Sequence, residues 1–385
     1  DSPQEQADRL GAVLSSRFQP IGGVPKLAII GDSTVRADTG NDFVVHGTRD
    51  IANWAHVLST GGFLYVGNAG LGGDDAAEAL ARFDAEITPL TPDVVPIIVG
   101  INDAVGGRTL AAYAADIKAM VAKCRAIGAL PILFTVAPNT NTGSTQQIIA
   151  TYNIWLRRYT SAERIPLVDT GSLLTNPSDG RYNSAYDLDG THQNAAGAKV
   201  MGQALATVLS KVLPPWSPPL PVSNTSDSKN LLTNGLFLTN TGGLGTGWSK
   251  GANGTASIVS DSNIVGNWQR ITETTTGDNT ISQGVSSGYS AGDRMALTGR
   301  VAFTEGTSTS QASVLAIAFG PNTFPCRPVT LFTEDIPTTG AFYYEFDVPA
   351  SPATTSISVQ FLITPSVHGN GYIQCAQLGL YNLST

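Results

Sequence analysis

A chain of 385 residues is too long for one ordinary core, so its length argues for two domains. A hydrophobic share of 42% suits a globular protein in water, and a net charge of −8 counts against nucleic acid and anionic membrane as partners, since both attract basic surfaces. Only 14% of residues are charged, and 41 glycines stand among many late Ser, Thr and Asn residues, a mixture suited to all-β extracellular modules.

The chain opens at Asp1 with neither an initiator Met nor a signal peptide, so a processed product or a fragment is expected. Residues 1–25 read as an N-terminal arm, with one short helix over Ser2–Phe18. From residue 26 to 213, apolar strand-like runs alternate with helical patterns. "LAII" (Leu27–Ile30), "FLYVGNAG" (Phe63–Gly70), "VVPIIVG" (Val94–Gly100), "LPILFTVAP" (Leu130–Pro138) and "RIPLVDT" (Arg164–Thr170) predict strands. Helices are predicted over Asp74–Ile87, Thr109–Gly128, Thr145–Ser161 and Asn194–Leu213; the first has two acids at its start and the second is closed by glycine. Continuous apolar strands joined by helices imply a parallel sheet covered on both faces, with ligands bound beyond the carboxyl ends of its strands.

Residues 214–229 break the pattern. "PPWSPPLPVSNTSDSK" reads as a stiff, extended linker, because its prolines cannot continue a helix or a central strand. Residues 230–385 hold short alternating segments with polar turns and predict a β-sandwich. No transmembrane run is present. Three cysteines cannot close a framework: Cys124 reads as a buried small hydrophobe in a helix, whereas Cys326 and Cys375 are both late enough in the chain to pair in an oxidising compartment.

The chemistry gathers around "GDST", with Ser33 just after the first strand. A serine hydroxyl is a weak nucleophile until a neighbouring base takes its proton. Of the three histidines ahead of the linker, His56 sits in a helical pattern where packing is the default, and His46 lies in a loop with no acid at an informative spacing. His192 follows Asp189 by three residues across a Gly-Thr turn, which can return the carboxylate to the imidazole. Each piece also has a plain structural reading, because Asp, Ser, Asn and Gly make turns and helix caps. The segments with Ser33, Gly73 and Asn102 nevertheless each follow a predicted strand, so all three belong on one rim of the sheet. There they offer two backbone N–H groups and a side-chain amide, the donors that a tetrahedral oxyanion needs.

Carried by these residues, the chain resembles the SGNH hydrolases, or GDSL-type esterases and lipases. "IIGDST", "NAGLGGD", "GIND" and "DGTH" match the family's blocks in order. The resemblance implies a three-layer α/β/α fold, with Ser33 as nucleophile, His192 as general base and acid, and Asp189 as its orienter. It further implies an oxyanion hole from Ser33, Gly73 and Asn102, with no metal or organic cofactor. Asp32 and Asp103 read as structural supports. GDST in place of GDSL is closer to the carbohydrate acetylesterases of the superfamily. The insertion between Val35 and Asn53 is a candidate substrate wall, and the polar loops Pro138–Gln147 and Thr175–Gly190, the second with tyrosines able to stack on sugars, read otherwise as ordinary solvated loops.

Asn230–Ser249 resembles the opening strand of jelly-roll carbohydrate-binding modules, with Trp248, Trp268, Tyr343 and Tyr344 as candidate sugar platforms, against a plain core reading for most of them. The expected protein is an extracellular serine esterase removing O-acetyl groups from a polysaccharide. Two settings suit it, a secreted microbial enzyme or a phage tail component, and the second would make it a homotrimer. The rivals are an inactive glycan-binding or adhesion protein, an O-acetyltransferase, and a lipid or thioester esterase.

Overall fold

Strand β1 (Lys26–Gly31) carries five successive buried residues, Leu27 to Gly31, so both of its faces are covered. It is an interior strand of a five-stranded sheet of order β2-β1-β3-β4-β5, completed by β2 (Leu64–Gly70), β3 (Val94–Ile98), β4 (Leu130–Phe134) and β5 (Leu167–Val168), and every pairing is parallel. The computed structural model describes residues 23–36, 49–140, 143–304, 309–320, 326–331, 336–349, 354–367 and 369–385. The expected N-terminal helix, His46 and most of the insertion after Val35 lie outside them.

Helices α1 (Ser33–Arg36), α2 (Ile51–Leu58), α3 (Ala76–Glu86), α4 (Ile101–Val105), α5 (Leu110–Ala126), α6 (Ser144–Glu163), α7 (Thr170–Leu174) and α8 (Ala195–Val212) complete this unit. Helices α3, α5 and α6 share one core with one face of the sheet, through Phe83, Ile117, Met120 and Tyr152 against Ala28, Ile30, Val95 and Ile97. On the other side α2 packs on α8. Gly202 of α8 approaches so closely that a Cβ there would press on Trp54 and on the Ile51 carbonyl. The result is the expected three-layer α/β/α arrangement.

Helix starts follow local chemistry. Asp75 caps α3 with a full capping box to Glu78, and Asp50, Thr109 and Asn194 cap α2, α5 and α8. Two predicted strands are shorter than expected. The last reduces to Leu167–Val168, because Arg164 closes α6 in the left-handed region and Asp169 caps the unforeseen α7. Beyond Phe134 the chain leaves the ladder after one more bond, Thr135 N–H to Val168 O.

Residues 217–385 form a second unit. Two five-stranded antiparallel sheets make it a sandwich. One has the order β15-β12-β17-β10-β9 and the other β14-β13-β16-β11-β8, where β8 is Ser249–Lys250, β9 Thr255–Ser260, β10 Asn267–Thr272, β11 Asn279–Val285, β12 Arg294–Thr304, β13 Thr309–Gly320, β14 Cys326–Leu331, β15 Ile336–Asp347, β16 Ser356–Val367 and β17 Tyr372–Asn382. Their inner faces meet through contacts such as Phe319 with Phe346. The later part of the proline-rich stretch is fastened to this unit: Pro221 O accepts from Gln377, and Asp227 accepts from the Tyr381 hydroxyl at 2.6 Å.

Several expectations for this half change. Asn230–Ser249 is not one opening strand. It is a set of turns around Asn234, plus a two-residue hairpin of Asn240–Thr241 with Leu244–Gly245, because the Asn234 side chain satisfies Leu238 N–H and Thr239 O in place of a ladder. Trp248, Trp268, Tyr343 and Tyr344 are all buried, so none presents a ring face as a sugar platform. The Trp248 indole donates instead to Thr233 O, and that of Trp268 to Asp261. Cys124 and Cys375 are buried free thiols that burial pushes up, Cys124 to about 12; the Cys326 side chain lies outside the described residues.

Gly31 closes β1 where Asp32 turns away, and a Cβ there would collide with the Ile98 carbonyl and the Val35 side chain. Gly31→Ala is expected to cost about 1–3 kcal/mol by overpacking, read as a lower urea midpoint at unchanged m.

Candidate active site

Asp32 and Ser33 follow β1 directly. Asp32 N–H donates to Ile98 O of β3 at 3.2 Å, and Asp32 O accepts from Val35 and Arg36, so the chain winds at once into α1. The Asp32 carboxylate is 1% exposed and accepts Thr34 N–H at 2.8 Å. Burial pushes its pKa up to about 6, although the Thr34 bonds and His192 pull the other way. Asp32 therefore acts inside the turn, as the sequence suggested, and Ser33 faces outward from it.

His192 arrives from the loop ahead of α8. Asp189 Oδ1 accepts the N–H groups of Thr191 and His192 at 3.1 and 2.9 Å, while Oδ2 meets His192 Nδ1 at 2.8 Å. One carboxylate thus makes the turn and orients the ring together. Burial works to raise its pKa, but the bonds from the His192 ring and the two backbone N–H groups outweigh this and hold it below the usual range. With Nδ1–H donating to Asp189, Nε2 is left as acceptor, and it lies 2.8 Å from Ser33 Oγ. Ser33, His192 and Asp189 are thereby brought into one hydrogen-bonded line.

The turn after β2 lies beside the serine: a Cβ built on Gly72 would stand 3.9 Å from Ser33 Cβ. Gly73 adopts a φ of +92°, which L side chains rarely tolerate, and its N–H is bare of any side chain. Neither that N–H nor Ser33 N–H donates to any group among the described residues. From the start of α4, Asn102 Nδ2 donates to Asp74 O at 2.8 Å, which fixes the amide against this same turn. Beneath it Asp103, fully buried, accepts Ala76 N–H at 3.0 Å and the Arg108 guanidinium at 2.5 Å. Burial raises the Asp103 pKa even against those bonds. Asp103 thus couples α4 to the start of α3 as a support. His56 is buried edge-on against Phe63.

Four contributors escaped the sequence reading. Asn68 donates to Val35 O and accepts Gly70 N–H, tying β2 to α1. Arg82 of α3 reaches Gly31 O and Ala69 O at 3.3 and 3.2 Å, while pairing with Asp74. Asp187 Oδ1 receives the N–H groups of Asp189 and Gly190, a second Asx turn stacked before the first. Its signal was in the text, since "DLDG" repeats an acid two residues apart. Gln193, 2% exposed, donates from Nε2 to Thr34 O at 2.8 Å. It clamps the residue after His192 to the residue after Ser33, and nothing in "THQN" marks that reach.

Residues 29–200 match the model of the GDSL-like Lipase/Acylhydrolase family. Among solved structures, a protein of the G-D-S-L family from Desulfitobacterium hafniense is 28% identical with a TM-score of 0.41, covering 48% of this chain and 99% of that one. The acetylxylan esterase Axe2 from Geobacillus stearothermophilus is 21% identical with a TM-score of 0.43, covering 52% and 100%. A GDSL-like lipase from Bacteroides thetaiotaomicron is 20% identical with a TM-score of 0.41, covering 54% and 98%. No curated protein matches the chain.

Two predictions test this site. Folded Asp32 resists ionising where unfolded Asp32 does not, so its contribution is present below about pH 4 and lost as pH rises through about 6. The stability of Asp32→Asn relative to wild type should therefore improve by roughly 2 kcal/mol between pH 4 and pH 8, whatever its fixed offset, in urea melts at each pH. Gln193→Met keeps the bulk of the side chain but loses its donor. It should lower kcat by on the order of tenfold at nearly constant KM, since a misplaced imidazole affects the reaction more than substrate binding. A change in KM alone would show that the clamp does not set His192.

Proposed function

We propose that this chain, whose residues 29–200 match the model of the GDSL-like Lipase/Acylhydrolase family, is a serine esterase that removes O-acetyl groups from a polysaccharide outside the cell. The carrying observation is the line from Ser33 Oγ to His192 Nε2 and from His192 Nδ1 to Asp189, each link 2.8 Å.

In this reading His192 takes the Ser33 proton as Oγ attacks the ester carbonyl, and Asp189 holds the imidazolium that forms. The negative oxygen of the tetrahedral intermediate is received by Ser33 N–H, Gly73 N–H and the free amide hydrogen of Asn102, each worth about 3 kcal/mol when well placed. Collapse returns the His192 proton to the departing sugar hydroxyl and leaves acetyl-Ser33. Water then enters, His192 takes its proton, and acetate leaves as Ser33 is restored. The chain's own residues supply every group in these steps.

The choice of a sugar ester is supported by the surroundings of His192. Thr140 bonds to Gly190 O through its N–H and its hydroxyl, and Asn139 donates to Thr191 Oγ1 at 3.0 Å, so the wall beside the imidazole is built from neutral hydrogen-bonding residues. Tyr182 is buried and offers no stacking face, which leaves the half-buried Tyr186 as the aromatic of that loop.

The test is hydrolysis of p-nitrophenyl acetate, butyrate and octanoate, with acetate release from acetylated polysaccharides, by wild type and Ser33→Ala. Acetate should be preferred among the three, and Ser33→Ala should lose at least about 10³-fold. Preference for octanoate would assign the site to lipids, and acetyl transfer to an added glycan in place of acetate release would make it a transferase.

A further inference from the structure

A trough of about 760 Å³ opens between α6, the start of α7 and the turn that follows α7. Its lining includes Pro138 and Gln146, and Gln146 bonds Asn139 O in the segment that braces Gly190 and Thr191. The trough therefore lies behind the wall that holds His192, on the rim where β4 and β5 end. An acetyl group needs far less room than this.

The trough's polar groups show which ligand chemistry suits it. Both sides of the Asn153 amide are committed to Val136, N–H and C=O. The Ser172 hydroxyl donates to Asp169 and the Thr175 hydroxyl to Gly171 O. Arg157 grips Asp169 with Nε and Nη2 at 3.0 and 2.7 Å, which fixes the guanidinium plane and leaves Nη1 without a partner among the described residues. Arg181 is different again. Its backbone is held on both sides, N–H to Asp179 Oδ1 at 3.0 Å and O from Asn176 N–H at 2.7 Å, yet its guanidinium meets no acceptor among the described residues. The unfilled donor capacity of the trough is thus largely guanidinium. Asp179, the one carboxylate in the lining, is already engaged in fixing the Arg181 turn.

Guanidinium forks favour planar, bidentate acceptors, and a carboxylate matches them in shape and charge. We infer that the trough is a subsite for a carboxylate-bearing sugar of the substrate chain, so that the polysaccharide is an acidic one, read by Arg181, with Arg157 Nη1 in the same lining. This inference rests on the glycan-esterase reading for its substrate, but its binding step does not require the chemistry. The surrounding acidic chain makes such a site selective: only a ligand that reaches these two guanidiniums overcomes the general repulsion.

The experiment separates the two readings. Binding of trigalacturonate, trisialate and neutral xylotriose is measured by calorimetry on the full chain carrying Ser33→Ala, which retains the trough but not the nucleophile. One or both acidic trimers should bind on the order of tenfold or more tighter than xylotriose, and Arg181→Ala in the same background should remove that difference. Arg181→Ala on the wild-type background should slow deacetylation of an acetylated polygalacturonate by a larger factor than it slows hydrolysis of p-nitrophenyl acetate. Equal or absent binding of acidic and neutral trimers, or acidic binding that survives Arg181→Ala, overturns the subsite. A chain that binds the acidic trimers through Arg181 yet hydrolyses no ester keeps the subsite and removes the esterase reading.

Discussion

The parallel direction of the five strands is the constraint from which the site follows. Every strand delivers its carboxyl end to one rim, so residues far apart in sequence arrive there without any special folding event. Ser33 leaves β1, Gly73 follows β2 and Asn102 follows β3, which are adjacent in the sheet. His192 has no strand of its own. It is delivered by α8, which packs back on α2 across the opposite face, and a 2.8 Å contact spanning 159 residues results. A shift of α8 by one turn would carry the imidazole away by about 5.4 Å, more than a hydrogen bond tolerates. Gly202 is therefore linked to the Ser33–His192 contact at a distance, because its lack of a side chain sets how closely α8 lies on Ile51 and Trp54.

On that frame two carboxylates, both near Ser33, are kept in opposite electrostatic conditions. Asp32 is buried and its pKa is raised to about 6, whereas Asp189 is half-exposed and lies below the ordinary range. Desolvation acts on both in the same sense. The difference is made by donors: Asp189 collects two backbone N–H groups and the imidazole, while Thr34 alone serves Asp32. The acid beside the imidazole is the one whose charge is stabilised, as the proposed role requires, and the acid beneath Ser33 serves as a fold element.

This division also explains which parts of the site were legible in the sequence. Ser33, Gly73, Asn102, Asp189 and His192 each stand at a strand end or a helix start, where glycine, acid and amide residues are visible against an apolar background. The strands and the long helices were legible for the same reason, since their apolar period is set by burial. Gln193 and Arg82 were not, because their contacts join elements whose adjacency exists only after the sheet has formed. In the β-sandwich the plain core reading of the aromatics held over the platform reading. Trp268 and Tyr343 are both buried, and neighbouring acids serve their polar atoms: Asp261 bonds the indole, and Glu345 the phenol. An aromatic on a strand states that a large surface must be covered, and leaves open whether a ligand or the chain itself covers it.

With those rings withdrawn into the core, the proposed recognition of a glycan would depend on hydrogen-bond donors more than on stacking. Stacking platforms tolerate many sugars because all pyranose rings offer similar faces, whereas a fixed fork of N–H groups demands an acceptor of matching shape and charge. Arg157, held by Asp169, is pre-ordered in this way before any ligand arrives, whereas Arg181 is held only at the backbone of its turn. Binding at Arg157 orders little that is not already ordered, while the Arg181 side chain settles only on the ligand. In the proposed reaction the site at Ser33, by contrast, would contact only a small acyl group that many sugars carry. Selectivity among glycans would then be a property of the rim around His192, and the acyl chemistry of Ser33 common to whatever chain that rim accepts.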